Sequence, residues 1–82
     1  MKITFSRHAR ERMAQRNISE EQILKAIDNP DSVTSYSDKT VYQAFISDKD
    51  EKTWLLRIFV NENVNPAKVI TVYKTSKLDK YL

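Results

Sequence analysis

None of the 82 residues is glycine. A chain without glycine has no residue that takes a left-handed backbone at no steric cost, so its tight turns fall to Asn, Asp, Ser and Pro. The same absence excludes glycine-rich phosphate loops of the Walker and dinucleotide types. Cysteine is also absent. That removes disulfides and thiolate metal sites and makes a reducing cytoplasm the expected location. A chain this short buries roughly 60–65% of its unfolded surface, so residues 1–82 are expected to form one domain with no room for a separate cofactor domain. No apolar stretch approaches the ~20 residues of a membrane span, and no signal-peptide layout stands at the N-terminus.

The hydrophobic pattern changes character at Pro30. Before it the chain reads as a short strand, Met1 to Phe5, and two helices. Ser6 is a good N-cap for the first helix, Arg7 to Arg16, whose apolar content is Ala9 and Met13, four apart. The second helix carries a fuller signature. Ser19 with Gln22 three residues later makes a capping box, and Ile18 with Ile23 makes a hydrophobic staple. Glu20 and Glu21 occupy the first turn, where the helix dipole favours acids. Ile23, Leu24 and Ile27 are the expected buried stripe, and Asp28-Asn29-Pro30 ends the helix.

After Pro30 the pattern is that of strands. Asp31 to Ser37 holds a short one, followed by a turn at Asp38-Lys39. Thr40 to Ser47, Thr53 to Val60 and Ala67 to Lys74 are longer, separated by a charged loop at Asp48 to Lys52 and by turn residues around Asn61 and Pro66. Thr75 to Leu82 reads as a short tail helix or an extended segment. The order is β-α-α-β-β-β-β. Grouped helices and hairpin-length loops point to an α+β fold with two N-terminal helices packed on an antiparallel sheet.

The net charge of +3 is unevenly spread. Residues 1–30 carry six Lys/Arg against four acids, residues 31–66 four against six, and residues 67–82 four against one. Two basic ends that meet in the fold make a patch suited to phosphates or to an acidic partner.

Three groups of residues carry possible chemistry. His8, Arg12 and Arg16 recur every four residues, which places them near one face of the first helix, beside the Ala9/Met13 stripe. His8 is the only histidine, and an imidazole is the side chain best suited to proton transfer near neutral pH. Arg12 and Arg16 suit bidentate contacts to phosphate oxygens. The plainer reading is that the arginines pair with nearby acids and His8 packs against the sheet.

Arg57 is the second group. Alternation puts Trp54, Leu56, Ile58 and Val60 on an apolar face, and Leu55, Arg57 and Phe59 on the other. An arginine beside aromatic rings suits base stacking, or it simply covers Phe59 with its stem. The third group is the last strand. If Ile70 and Val72 face the core, Thr71 and Tyr73 join Arg57 on the open face. Tyr73 then stacks on a base or donates a hydrogen bond, or merely packs on the sheet. Lys77, Lys80 and Tyr81 extend the basic end, which as a short tail is most often just solvated; Thr71, Lys74 and Lys77 are the expected nucleic-acid contacts. One histidine and no cysteine exclude a histidine-rich or thiolate zinc site, and the acids lack calcium-loop spacing, so no metal or cofactor is expected.

The run from Ser6 to Ser19, with Ser6, His8, Ala9, Arg12, Met13, Arg16, Ile18 and Ser19, resembles the bacterial family known as domain of unknown function 4258. So does the closing run Val69-Ile70-Thr71-Val72-Tyr73-Lys74-Thr75-Ser76-Lys77. Asn17 stands where that family commonly has glycine, a substitution its tolerance of a left-handed backbone allows. The resemblance implies kinship with RelE/BrnT-like toxins and a RelE-like fold. It implies a metal-independent endoribonuclease of toxin–antitoxin type acting on RNA, with His8, Arg12 and Arg16 carried over by motif and Thr71 and Tyr73 more weakly. Such chemistry needs a base, an acid and cations around the phosphorane, the cations here being Arg12, Arg16 and Arg57. An acidic antitoxin protein is the partner expected on the same surface. The competing expectation is a non-catalytic module binding RNA or protein. The oligomeric state is not written in the sequence.

Overall fold

The computed structural model describes residues 2–80. Met1 of the expected first strand, and Tyr81 and Leu82 of the expected tail, lie outside the described residues. The elements run β1 (Ile3–Phe5), α1 (Arg7–Arg16), α2 (Glu20–Asp28), β2 (Ser32–Ser35), β3 (Thr40–Ser47), β4 (Thr53–Asn61), β5 (Ala67–Thr75) and a 3-10 turn (Leu78–Lys80). This is the α+β order read from the sequence.

Both helices start and stop on the residues the sequence marks. The Ser6 Oγ accepts from the Ala9 N–H, capping α1. Asn17 ends α1 in the left-handed region, at φ 54° and ψ 51°. Its N–H and that of Ile18 both donate to the Met13 carbonyl, which satisfies an acceptor the helix end would otherwise orphan. The capping box of α2 is complete in both directions, between Ser19 and Gln22. Ile18 and Ile23 are both buried. The expected stripe on α2 needs one correction. Leu24 is 45% exposed, and Ala26 takes its place in the core with Ile23, while Ile27 is half-buried. A nine-residue helix lying over β3 and β4 buries only one narrow row, and the i, i+3, i+4 set Ile23, Ala26 and Ile27 is that row.

The sheet has five strands in the order β1-β5-β4-β3-β2. Strands β2 to β5 form an antiparallel meander. The sheet as a whole is mixed, because β1 pairs with β5 in parallel, Ile3 opposite Ala67 and Phe5 opposite Val69. The expectation of antiparallel pairing rests on short loops, and β1 has none: it leaves the sheet through both helices and returns at the far edge. The reversal after β2 also sits one residue earlier than expected. The Tyr36 N–H donates to the Lys39 carbonyl, so the chain turns over Ser37 and Asp38. Glu51 takes a left-handed conformation, φ 62°, in the β3–β4 loop, a position where glycine is usual.

The core lies between the helices and one sheet face. Leu56, Ile58 and Val60 of β4 are fully buried there with Ala9, Ile23 and Val69, and Met13 is buried beside them. A register shift beside Phe59/Val60 rearranges β5. Val69 turns into the core, and Ile70 is 37% exposed instead of buried. Val72 faces the core as expected, so Thr71 and Tyr73 do stand on the opposite face, paired with Phe59 and Arg57. No helix of the described residues is long and apolar enough to cross a membrane.

Candidate nucleic-acid interface

Helix α1 is fastened to β5 at both ends. At its start the Ser6 N–H donates to the Val69 carbonyl and the Ser6 Oγ donates to the Ile70 carbonyl, at 2.9 and 2.7 Å. At its end Arg16 donates to the Lys74 carbonyl at 2.7 Å. These ties hold α1 alongside β5, with Ala9 and Met13 as its buried anchors. His8 and Arg12 are consequently exposed, one turn apart on a helix whose position is fixed from both ends.

Arg12 is the hinge of the arrangement. It lines a hollow of about 320 Å3 together with Arg57, Phe59, Thr71, Val72 and Tyr73. It also lines a smaller hollow of about 200 Å3 with His8, Glu11 and Gln15. Residues from the first helix, the fourth strand and the fifth strand thus meet on one surface. Arg57 is half-buried on the open sheet face. Its Nε donates to Gln43 Oε1 at 2.6 Å, and its guanidinium carbon stands 5.3 Å from the Phe59 ring centre. Tyr73 lies directly across from it on β5. The open face is less open than alternation implies: Leu55 and Val41 are both buried there, so the arginine is flanked by apolar surface.

The remaining basic residues sit elsewhere. Arg16 is engaged with the Lys74 backbone and does not line the hollow. Lys74 pairs with Leu56 and so belongs to the helix-side face, apart from Thr71 and Tyr73. Its Nζ lies over the Trp54 ring at 4.8 Å, with Lys52 Nζ also over that ring at 4.6 Å. Lys77 is exposed beyond the end of β5, where its backbone N–H donates to Thr75 Oγ1. The structure therefore brings together Arg12, Arg57, Thr71 and Tyr73. It places His8 in the adjoining hollow, and it leaves Arg16, Lys74 and Lys77 outside both.

Sequence reasoning missed Gln43. The signal was present: Val41, Gln43 and Phe45 repeat on β3 the apolar-polar-apolar pattern of Leu55, Arg57 and Phe59 on β4, and the two polar residues pair. The titrations of Tyr42 and Asp48 are clearly displaced, and neither residue lines the hollow. Burial, and then the Glu62 carboxylate that accepts its hydroxyl, push Tyr42 up to about 12. Asp48 is held low by the Trp54 indole N–H and by the Lys52 backbone N–H. Among the described residues no group of three His, Cys, Asp or Glu side chains is placed to hold a metal ion.

Two guanidiniums and a phenol line a hollow on a small mixed sheet that carries two helices on its other face, and together they define a compact α+β domain with a basic, aromatic-edged surface. The chain belongs to the family described as domain of unknown function (DUF4258), whose profile it matches over residues 5–74. That span takes in both helices, β2 to β4, β5 as far as Lys74 and every residue of the hollow. No curated protein and no solved structure matches the chain at a significant level.

Proposed function

We propose that the protein is a metal-independent endoribonuclease of toxin type, and that the hollow between α1 and the β4–β5 pair holds the scissile phosphate. One observation carries this reading. Arg12 and Arg57, far apart in the chain, line a single concavity with an exposed tyrosine at its side. Paired guanidiniums are the fitting groups for the extra negative charge of a phosphorane. In the reaction the ribose 2′-hydroxyl attacks the adjacent phosphorus and the P–O5′ bond breaks, leaving a 2′,3′-cyclic phosphate and a 5′-hydroxyl. A base takes the 2′-hydroxyl proton, and an acid returns one to the leaving oxygen. His8, which shares Arg12 as a neighbour, is the base or acid at the helix side, and Tyr73 is the stacking or auxiliary group at the sheet side. Kinship with RelE/BrnT-like toxins is part of the same proposal, as is an acidic antitoxin covering this surface.

A second reading has its own observation. His8 and Arg57 line adjoining hollows, not one. A module that grips a single strand without cleaving it needs only the arginines and the aromatic rings. One experiment separates the two: purified protein incubated with RNA and a chelator, beside Arg57→Ala and His8→Ala. The enzyme reading expects cyclic-phosphate products from the unaltered protein and loss of cleavage in Arg57→Ala. Cleavage untouched by His8→Ala removes the imidazole from the mechanism. Salt-sensitive binding with no cleavage favours the module, and neither cleavage nor binding overturns both.

A further inference from the structure

We infer that the outer edge of β3 from Ala44 to Ser47, with α2 beside it, is a docking slot for an extended acidic segment of a partner protein. On one side β3 is paired along its whole length, from Thr40 opposite Val60 to Ser47 opposite Thr53. On the other side β2 covers only its first half, as far as Ser32 opposite Gln43. β2 does not extend along the rest of this edge, because the chain comes to it from α2 through Asn29 and Pro30. The Asp48 N–H donates to the Lys52 carbonyl across the β3–β4 ladder, so Ala44 and Ile46 turn their backbone groups to β4. Phe45 and Ser47 turn theirs to the uncovered edge. One stand-in is already there: the Asp31 carboxylate accepts the Phe45 N–H at 2.9 Å, where a strand carbonyl would sit. The Phe45 carbonyl and the Ser47 N–H have no strand across from them. An unpaired edge of this kind is a template for main-chain pairing with another chain.

The edge borders a hollow of about 330 Å3 whose other wall is α2, through Gln22, Lys25, Ala26 and Asn29. Ala26 and Ala44 also line it, and side chains this small leave room for a backbone to approach. The Phe45 ring, 40% exposed, offers apolar contact on the opposite face of the sheet. A second hollow shares Gln22 and Ser47 with the first and carries the slot past the end of β3 to Asp48, Lys49 and Lys74. An added strand therefore finds hydrogen bonds along its edge, small side chains on one face and a ring on the other. The rims set its charge. Asp31 is held by the Phe45 N–H, and Asp48 by the Trp54 indole and by the Asp50 and Lys52 N–H groups. That leaves Asp50 against Lys25, Lys49 and Lys74 along the two hollows, a balance that favours a segment carrying Asp or Glu. The slot shares no lining residue with the hollow between α1 and the β4–β5 pair, so it serves a partner whether or not the protein acts on RNA.

The test uses the full chain and a fluorescein-labelled peptide of alternating glutamate and valine, about eight residues long, enough to span the free part of β3. Its lysine–valine counterpart is the control for charge. Two further copies, each N-methylated on one set of alternate residues, are the control for strand pairing. Fluorescence anisotropy at low salt should show the glutamate peptide binding at least about tenfold more tightly than the lysine one, with the preference shrinking as salt rises. N-methylation leaves the protein untouched. The copy methylated on the set that faces β3 should lose at least about fivefold, the net worth of one backbone hydrogen bond, and the other copy should not. Lys25→Glu should weaken the glutamate peptide and strengthen the lysine one. In hydrogen exchange read by NMR, the Ser47 N–H should exchange more slowly once the glutamate peptide is bound. No binding by either peptide, equal binding of the two, or a Ser47 N–H that exchanges as fast with the peptide as without it overturns the inference. Dimerisation in sedimentation velocity that protects the same N–H without peptide gives the slot to a second copy and overturns the acidic segment as its occupant.

Discussion

Replacing Ser6 tests how the site is assembled, because one hydroxyl does two jobs there. Its oxygen accepts from the Ala9 N–H at 3.0 Å, closing the start of α1, and it donates to the Ile70 carbonyl at 2.7 Å, fastening that start to β5. Ser6→Ala removes both and keeps the backbone bond to Val69. Loss of an N-cap costs about 1 kcal/mol. Loss of the tie to Ile70 costs about 0.5–1 kcal/mol, the net worth of an ordinary hydrogen bond. The expected destabilisation is therefore about 1.5–2 kcal/mol, which for a domain this size lowers Tm by about 10 °C. Ser6→Asp separates the two roles. The carboxylate still caps the helix but has no proton for Ile70, so about 0.5–1 kcal/mol should be lost. Thermal unfolding followed by circular dichroism reads all three proteins. A Tm unchanged in Ser6→Ala, or a fall in Ser6→Asp equal to that in Ser6→Ala, refutes the double role and with it the account of how α1, and so Arg12, is held over the hollow.

Ile58 is fully buried at the centre of β4; Ile58→Ala is expected to cost about 2–5 kcal/mol in urea unfolding, a large share of the stability of a small domain. Tyr42 should ionise late in a near-ultraviolet phenolate titration, at about 12, and Glu62→Gln should bring it down. Because its folded pKa is raised, its contribution to stability is complete below the ordinary tyrosine value and is lost as pH rises through about 12. Asp48 has the opposite sign. Its lowered pKa makes its contribution complete above the ordinary carboxylate range and lost as pH falls through the depressed value. Trp54 fluorescence, reporting the indole bond to Asp48, should therefore change only in acid below the ordinary Asp range, and should lose that transition in Asp48→Asn.

The helices were legible because their signals are local. Ser6, Ser19, Gln22 and Asn17 act within a few residues of themselves, and each does in the structure what its side chain suggests. The long strands were legible for the same reason. What alternation could not show was the register shift beside Phe59/Val60, which exchanges Val69 and Ile70 between core and surface. Both residues are equally apolar, so nothing in their chemistry marks which one is turned out. Leu24 and Ala26 pose a similar problem: hydrophobicity favours the leucine, but the placement of α2 over β3 and β4 selects the alanine. The direction of β1 and the pairing of Gln43 with Arg57 are tertiary facts, set by which strands become neighbours. Arg16 and Lys74 share the basic composition that drew attention to the ends of the chain. Lining the hollow, not composition, distinguishes Arg12 and Arg57 from them.

The central claim is that Arg12 and Arg57 act on one phosphate. Its most direct test is a double-mutant cycle on oligoribonucleotide affinity, with Arg12→Met, Arg57→Met and the pair measured at fixed salt. Side chains that grip the same group are coupled, so the double variant should lose less than the summed single losses, by at least about 0.5 kcal/mol. Losses that simply add would mean that the two arginines serve separate contacts and that the hollow between them is not a phosphate site.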